Sequence, residues 1–141
     1  MTDHDLRPVP ATDSVHLRHS FPGTPAAIGL AREWVREMAT SSGHSPLAPT
    51  VELLVSELAT NAVRHANGAR FSVELDVDGL LLVAVCDAST RTPTPRRAAV
   101  RDEGGRGLAI VDALSDRWGA EVHLGGKCVW FQLEDRPEER A

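Results

Sequence analysis

Three polar stations interrupt an otherwise apolar pattern, and each has residue types that could do chemistry. The first is Glu57 and Asn61, one helical turn apart in the run Glu57-Leu58-Ala59-Thr60-Asn61-Ala62-Val63-Arg64-His65-Ala66. A carboxamide oxygen can fill one position on a Mg²⁺ ion that draws its other ligands from water and phosphate. A carboxylate one turn away can hold water or accept a proton. An ordinary solvated helix face would carry the same two residues. The second station is Asp87, which closes the apolar run 80–86. A carboxylate at the end of a buried strand needs a donor: the amine of adenine, a backbone amide or an Arg. A turn or capping role also fits an Asp there. The third is Gly104-Gly105-Arg106-Gly107, just ahead of a helical pattern. Glycines let backbone amides approach phosphate oxygens, and a helix N-terminus adds positive potential. No Gly-Lys-Ser/Thr follows, so this is no Walker A loop. The strand–turn–helix setting of a dinucleotide fingerprint is also missing. Arg106 could touch a phosphate or simply be solvated.

These stations must be positioned by a frame, and hydrophobic periodicity supplies one. Val51, Leu54, Val55, Leu58, Ala62 and Ala66 follow the i, i+3, i+4, i+7 spacing of an amphipathic helix. It starts between Pro46 and Thr50 and stops at Asn67-Gly68. Residues 15–21 alternate as an edge strand. Thr24 as N-cap with Pro25 at the first position starts an earlier helix that ends near Ser41-Ser42-Gly43. Phe71, Val73, Leu75 and Val77 make a half-buried strand. Asp78-Gly79 is a tight turn. Residues 80–86 are continuously apolar, as suits a central strand covered on both faces. Residues 88–103, with Arg91, Arg96, Arg97 and Arg101, are long for a connection and read as a lid or a disordered loop. Leu108, Ile110, Val111 and Leu114 mark a further helix. Strands follow at 120–124 and 128–133, joined at Gly125-Gly126. The order β–α–α–β–β–lid–α–β–β predicts an α/β two-layer sandwich: a mixed, mostly antiparallel sheet covered on one face by about three helices. The expected division is a tail over 1–13, one domain over 14–134 and a charged tail over 135–141.

Composition narrows the function classes. The chain has 141 residues, 42% of them hydrophobic, which suits one domain with a real core. A net charge of −5 with a single lysine argues against nucleic acid as the main partner. Cys86 and Cys128 lie in apolar runs with no metal-ligand spacing, so free buried thiols are expected. No run is long enough to span a bilayer, and the expected location is the cytoplasm. The histidines are scattered. His65 alone is near a motif, where an exposed or capping role is expected. Trp34, Trp118 and Trp130 fall at core positions.

Together the stations resemble a known pattern. The run Glu57 to Ala66 resembles the N box of the ATP-binding domains shared by histidine kinases, gyrase B, Hsp90 and MutL. Asp87 stands where that superfamily has its adenine-reading Asp. Gly105-Arg106-Gly107-Leu108 resembles its second glycine box. The small size and the closing strand Trp130-Phe131-Gln132-Leu133 look most like the anti-sigma-factor serine/threonine kinase branch, and like its short stand-alone ATP-binding regulators. The resemblance spans residues 15–133. It implies a Bergerat-type fold that binds ATP and Mg²⁺ under a lid. Asn61 would ligate Mg²⁺, and Glu57 would act as general base. Asp87 would accept the adenine amine. Gly105, Arg106, Gly107 and Leu108 would frame the phosphates. Where the family carries glycines after Asp87, this chain has Ala88-Ser89-Thr90-Arg91, and Ser89 would supply a hydrogen bond. Cys128 would take the place of a Thr that helps bind adenine. The implied function is phosphorylation of an anti-sigma-factor antagonist protein and sequestration of a sigma factor, with a homodimer through the first strand and helix face. The alternatives are a non-catalytic, nucleotide-gated interaction module and a detached histidine-kinase-type domain.

Overall fold

The computed structural model describes residues 6–65, 67–88, 103–123 and 125–135, with side chains of the last helix described from Leu108 onward. The strands are β1 (Val15–Phe21), β2 (Phe71–Val77), β3 (Leu80–Asp87), β4 (Arg117–His123) and β5 (Gly126–Glu134). The helices are α1 (Pro25–Ser41), α2 (Ala48–His65) and α3 (Glu103–Leu114), with a short 3₁₀ turn at Ser45–Leu47. The strands form one sheet in the order β1-β2-β3-β5-β4. All four pairings are antiparallel, so this two-layer α/β fold carries the expected antiparallel character throughout its described sheet.

Local chemistry explains the element ends. Thr24 sits at the N-cap of α1 with extended backbone, and Pro25 takes the first helical turn, where its missing N–H costs nothing. After α2, Asn67 (φ 49°) and Gly68 (φ 85°) adopt left-handed backbone that a helix cannot continue through. The β2–β3 turn is closed by Asp78, whose Oδ1 accepts the Leu80 amide at 2.8 Å. The glycines 104, 105 and 107 fall inside α3, which begins at Glu103, rather than in a turn ahead of it.

Strand alternation divides the sheet into two faces. Phe71, Val73 and Leu75 of β2, Leu81, Val83 and Val85 of β3, and Val129, Phe131 and Leu133 of β5 meet Ala31 and Val35 of α1 and Val51, Leu54, Val55, Leu58 and Ala62 of α2 in the main core. Leu108 and Val111 bring α3 into the same core. The opposite face carries a smaller cluster of Leu82, Ala84 and Trp130, with Cys86 beside it. So β3 is covered on both sides, as its unbroken apolar run predicts.

The segment before β1, read from sequence as a mobile tail, lies against this second face where it is described. Arg7 donates its backbone N–H to Glu121 Oε2 (3.0 Å), its Nε to Glu121 Oε1 (3.1 Å) and Nη1 to Glu74 Oε1 (3.2 Å). Burial alone would raise the Glu121 carboxyl. The Arg7 backbone hydrogen bond, the Arg7 charge and the His123 hydrogen bond outweigh it and hold that carboxyl below the ordinary carboxylate range. At the far end of the sheet, buried His44 ties the 3₁₀ turn to two neighbours: Nδ1 lies 3.0 Å from Asp135 Oδ2 and Nε2 3.0 Å from the Asp78 carbonyl. Among the described residues, no helix is long and apolar enough to cross a membrane.

Candidate functional site

Helix α2 lies over the sheet because its apolar stripe is buried, and that sets the direction of its polar stripe. Val51, Leu54, Val55, Leu58, Ala59 and Ala62 are all buried. Glu57 and Asn61 are half-buried on the flank of that stripe. Residue 65 falls one turn further along the same flank, since each four-residue step rises about 6 Å. The last turn of α2 therefore carries this polar line toward the end of the sheet where β3 finishes.

Asp87 closes β3 there, on the helix-facing side, and is only 9% exposed. Its partner is a residue the motif reading overlooks. Lys127, 3% exposed, is paired directly opposite Asp87 in β5. Its Nζ lies 3.6 Å from Asp87 Oδ2. The same Nζ donates to His65 Nδ1 at 3.3 Å. Asp87, Lys127 and His65 thus join β3, β5 and the end of α2 through one cation. His65, expected to be exposed or capping, is half-buried at this junction. A buried carboxylate and a buried ammonium are each costly alone, and their pairing is what makes both tolerable in this position. The approach of β5 to Asp87 also needs Gly126: a Cβ there would collide with the Asp87 carbonyl oxygen and Ala88 Cα. At the same end of the sheet, but toward its outer face, a cavity of about 240 Å³ is lined by Arg18, Ser20, Ser72 and Cys86 of that face as well as by Asp87 and Ala88.

The remaining predicted site residues are placed as follows. Leu108 is buried in the core against α2 and acts as packing. Gly105, Arg106 and Gly107 lie in the first turns of α3, their side chains outside the described residues, and α3 packs beside α2. Ser89 and most of the segment read from sequence as a lid or a disordered loop, 89–102, also lie outside the described residues. Cys128 points away from Asp87. It shares parity with Trp130 on the outer face, and it is joined to Cys86 in a disulfide with Cα atoms 4.0 Å apart. This overturns the expectation of two free thiols. The pair is 42 residues apart in sequence but directly opposed in the β3–β5 ladder. Such close spacing is that of a non-hydrogen-bonded antiparallel pair. Lys127, not Cys128, stands beside Asp87.

Lys127 carried a readable signal. It shares parity with Val129, Phe131 and Leu133, so alternation alone turns it toward the core. A lone lysine at a core-facing strand position must find a buried anion. The tryptophans do pack as expected. Trp118 is buried and donates Nε1 to Asp112 Oδ1 at 2.8 Å, Trp130 is fully buried on the outer face, and Trp34 meets Phe21 edge-on.

The family model of the histidine kinase-like ATPase domain matches residues 21–133. An uncharacterized protein of Streptomyces coelicolor, SCO4941, is 40% identical over 72 residues, covering 48% of this chain and 69% of that protein. The structure of the RsbU and RsbW domains of Rv1364c from Mycobacterium tuberculosis superposes with a TM-score of 0.60 at 22% identity. That match covers 85% of this chain, which spans about a third (32%) of the larger structure's length. A histidine kinase domain from the blue-light activated histidine kinase of Erythrobacter litoralis EL346 gives a TM-score of 0.49 at 22% identity, over 77% of this chain and 59% of that one. With residues 21–133 matched and the polar line of α2 meeting a buried Asp at the end of β3, this chain belongs to the histidine kinase-like ATPase domain family.

Proposed function

We propose that this chain is an ATP-binding regulator that transfers the γ-phosphate to a Ser or Thr of an anti-sigma-factor antagonist and sequesters a sigma factor. The observation that carries the reading is the buried Asp87 at the end of β3, on the same side of the sheet as the Glu57–Asn61 flank of α2. The donor set fits a nucleotide. A carboxylate offers about four lone-pair positions, so Asp87 can accept an adenine amine beside Lys127. Asn61 supplies the neutral oxygen that Mg²⁺ takes alongside phosphate and water. The metal would neutralise phosphate charge. Glu57 would orient the attacking hydroxyl and accept its proton, and the α3 N-terminus would present backbone amides to the phosphates. Little else is required of the protein, because phosphoryl transfer of this kind depends on position and charge.

A second reading has its own support. The Asp87 carboxylate is already ion-paired with Lys127, which weakens the competition for an adenine amine. On that reading the chain is a nucleotide-gated interaction module without transfer activity. Calorimetric titration with ATP, with and without Mg²⁺, tests both. Micromolar, Mg²⁺-dependent binding is expected. Asn61→Ala should remove the Mg²⁺ dependence. Glu57→Gln should leave binding nearly intact while stopping transfer from labelled ATP to an antagonist protein. Tight binding with no transfer in wild type selects the interaction module. No binding up to millimolar ATP rejects both.

A further inference from the structure

The outer face of the sheet carries a second cluster that nucleotide chemistry leaves unused. Cys128 pairs across the sheet with Glu121 of β4 on one side and Cys86 of β3 on the other. His123 lies two residues beyond Glu121, on the same face by alternation. Ligand atoms of Glu121, His123 and Cys128 all fall within 4.8 Å of one another. Cys86 Sγ is bonded to Cys128 Sγ and therefore stands beside the same three.

Two sulfurs, one imidazole and one carboxylate are the donors of a tetrahedral Zn²⁺ centre, not of Mg²⁺ or Ca²⁺, which take oxygen. Zn–S bonds of about 2.3 Å and Zn–N bonds of about 2.0 Å put tetrahedral ligand atoms roughly 3.3–3.8 Å apart. Side-chain rotation from the present spacing covers that difference. The disulfide is what holds the sulfurs out of use, because only thiolate ligates. Charge agrees. Arg7 and Arg18 offset Glu74 and Glu121 on this face. Two thiolates would add two negative charges, which a divalent cation cancels. Glu121 can reach a metal through Oε1, now 3.2 Å from His123 Nε2 and 3.1 Å from Arg7 Nε, which the metal would displace, while Oε2 keeps the Arg7 amide. That leaves a ligating carboxylate oriented by an outer hydrogen bond.

We propose that Cys86, Cys128, His123 and Glu121 form a redox-gated Zn²⁺ site, closed as the disulfide and opened by a dithiol reductant. The reductant gives two electrons and two protons to the Cys86–Cys128 bond, yielding two thiols, and leaves as its own disulfide. Zn²⁺ then displaces the two thiol protons into solvent and binds both sulfurs, with no further electron transfer. The centre sits one residue along each strand from Asp87 and Lys127, on the opposite face.

Co²⁺ titration of the full chain tests this. The chain is reduced with a phosphine, desalted without oxygen, and compared with the oxidised chain. The reduced chain should take one equivalent, with tetrahedral visible bands and thiolate-to-cobalt charge transfer that Zn²⁺ then bleaches. The oxidised chain should show none of these. Cys128→Ser, which leaves Cys86 as the one thiolate, should weaken the charge-transfer band, and the double variant Cys86→Ser/Cys128→Ser should lose it. His123→Asn, at a side chain 56% exposed and so harmless to folding, should weaken binding about tenfold or more. Absence of charge transfer in the reduced chain overturns the proposal. So does equal binding by the oxidised chain, or affinity unchanged in His123→Asn.

Discussion

Replacing Lys127 with Met is the sharpest probe of how this fold holds its buried Asp. Both side chains are nearly inaccessible, at 2% for Lys127 and 3% for Asp87, and their charges approach to 3.6 Å. At an effective dielectric of about 20, Coulomb attraction at that distance is roughly 4–5 kcal/mol. Desolvation of the two ions offsets most of it, so the intact pair adds little net stability. Removing only the cation leaves the carboxylate with its desolvation cost and without the Lys127 charge. The expected loss is therefore about 3–5 kcal/mol. For a domain whose total stability is about 5–15 kcal/mol this is a large fraction. Urea unfolding followed by fluorescence of the buried Trp118 and Trp130 measures it directly. Asp87→Asn and the double variant complete the cycle. The double variant should recover at least about 1.5 kcal/mol relative to the sum of the single losses. A Lys127→Met loss under about 1 kcal/mol, or strict additivity in the cycle, would refute a coupled buried pair.

Two further outcomes follow from the same geometry. Gly126→Ala should cost about 1–3 kcal/mol, because its Cβ must displace the Asp87 carbonyl, and the urea midpoint reads this. An unchanged midpoint would mean that β5 does not press on Asp87. For the oxidised, metal-free chain, Glu121 gives a pH dependence with a definite sign. Its folded carboxyl is held below the ordinary range, so its contribution to stability is complete above the unfolded pKa. That contribution is lost as pH falls through the folded value. Urea midpoints from about pH 6 down to about pH 3 should fall less steeply in Glu121→Gln than in wild type. Parallel curves would remove Arg7 as a functional anchor for the segment before β1.

Much of the frame was legible because its signals are local. The period of Val51, Leu54, Val55, Leu58 and Ala62 specifies one buried stripe, and so places Glu57 and Asn61 on its flank. Thr24-Pro25 and Asn67-Gly68 mark helix ends through backbone preferences that need no tertiary partner. The unbroken apolar run of β3 reports burial on both faces. Arg7 was not legible in this way. Nothing near it in sequence predicts Glu74 and Glu121 as partners, which lie 67 and 114 residues away.

The amino-acid sequence by itself determined the elements, their order and the identity of the polar line on α2, since period and capping act within a few residues. Only the tertiary structure decided which residues meet. Alternation gives Lys127 and Cys128 opposite faces, but it takes the sheet order, with β5 inserted between β3 and β4, to bring Lys127 to Asp87 and Cys128 to Cys86. Both contacts depend on ladder register between strands about forty residues apart, and register is set by the whole packed sheet rather than by any local run.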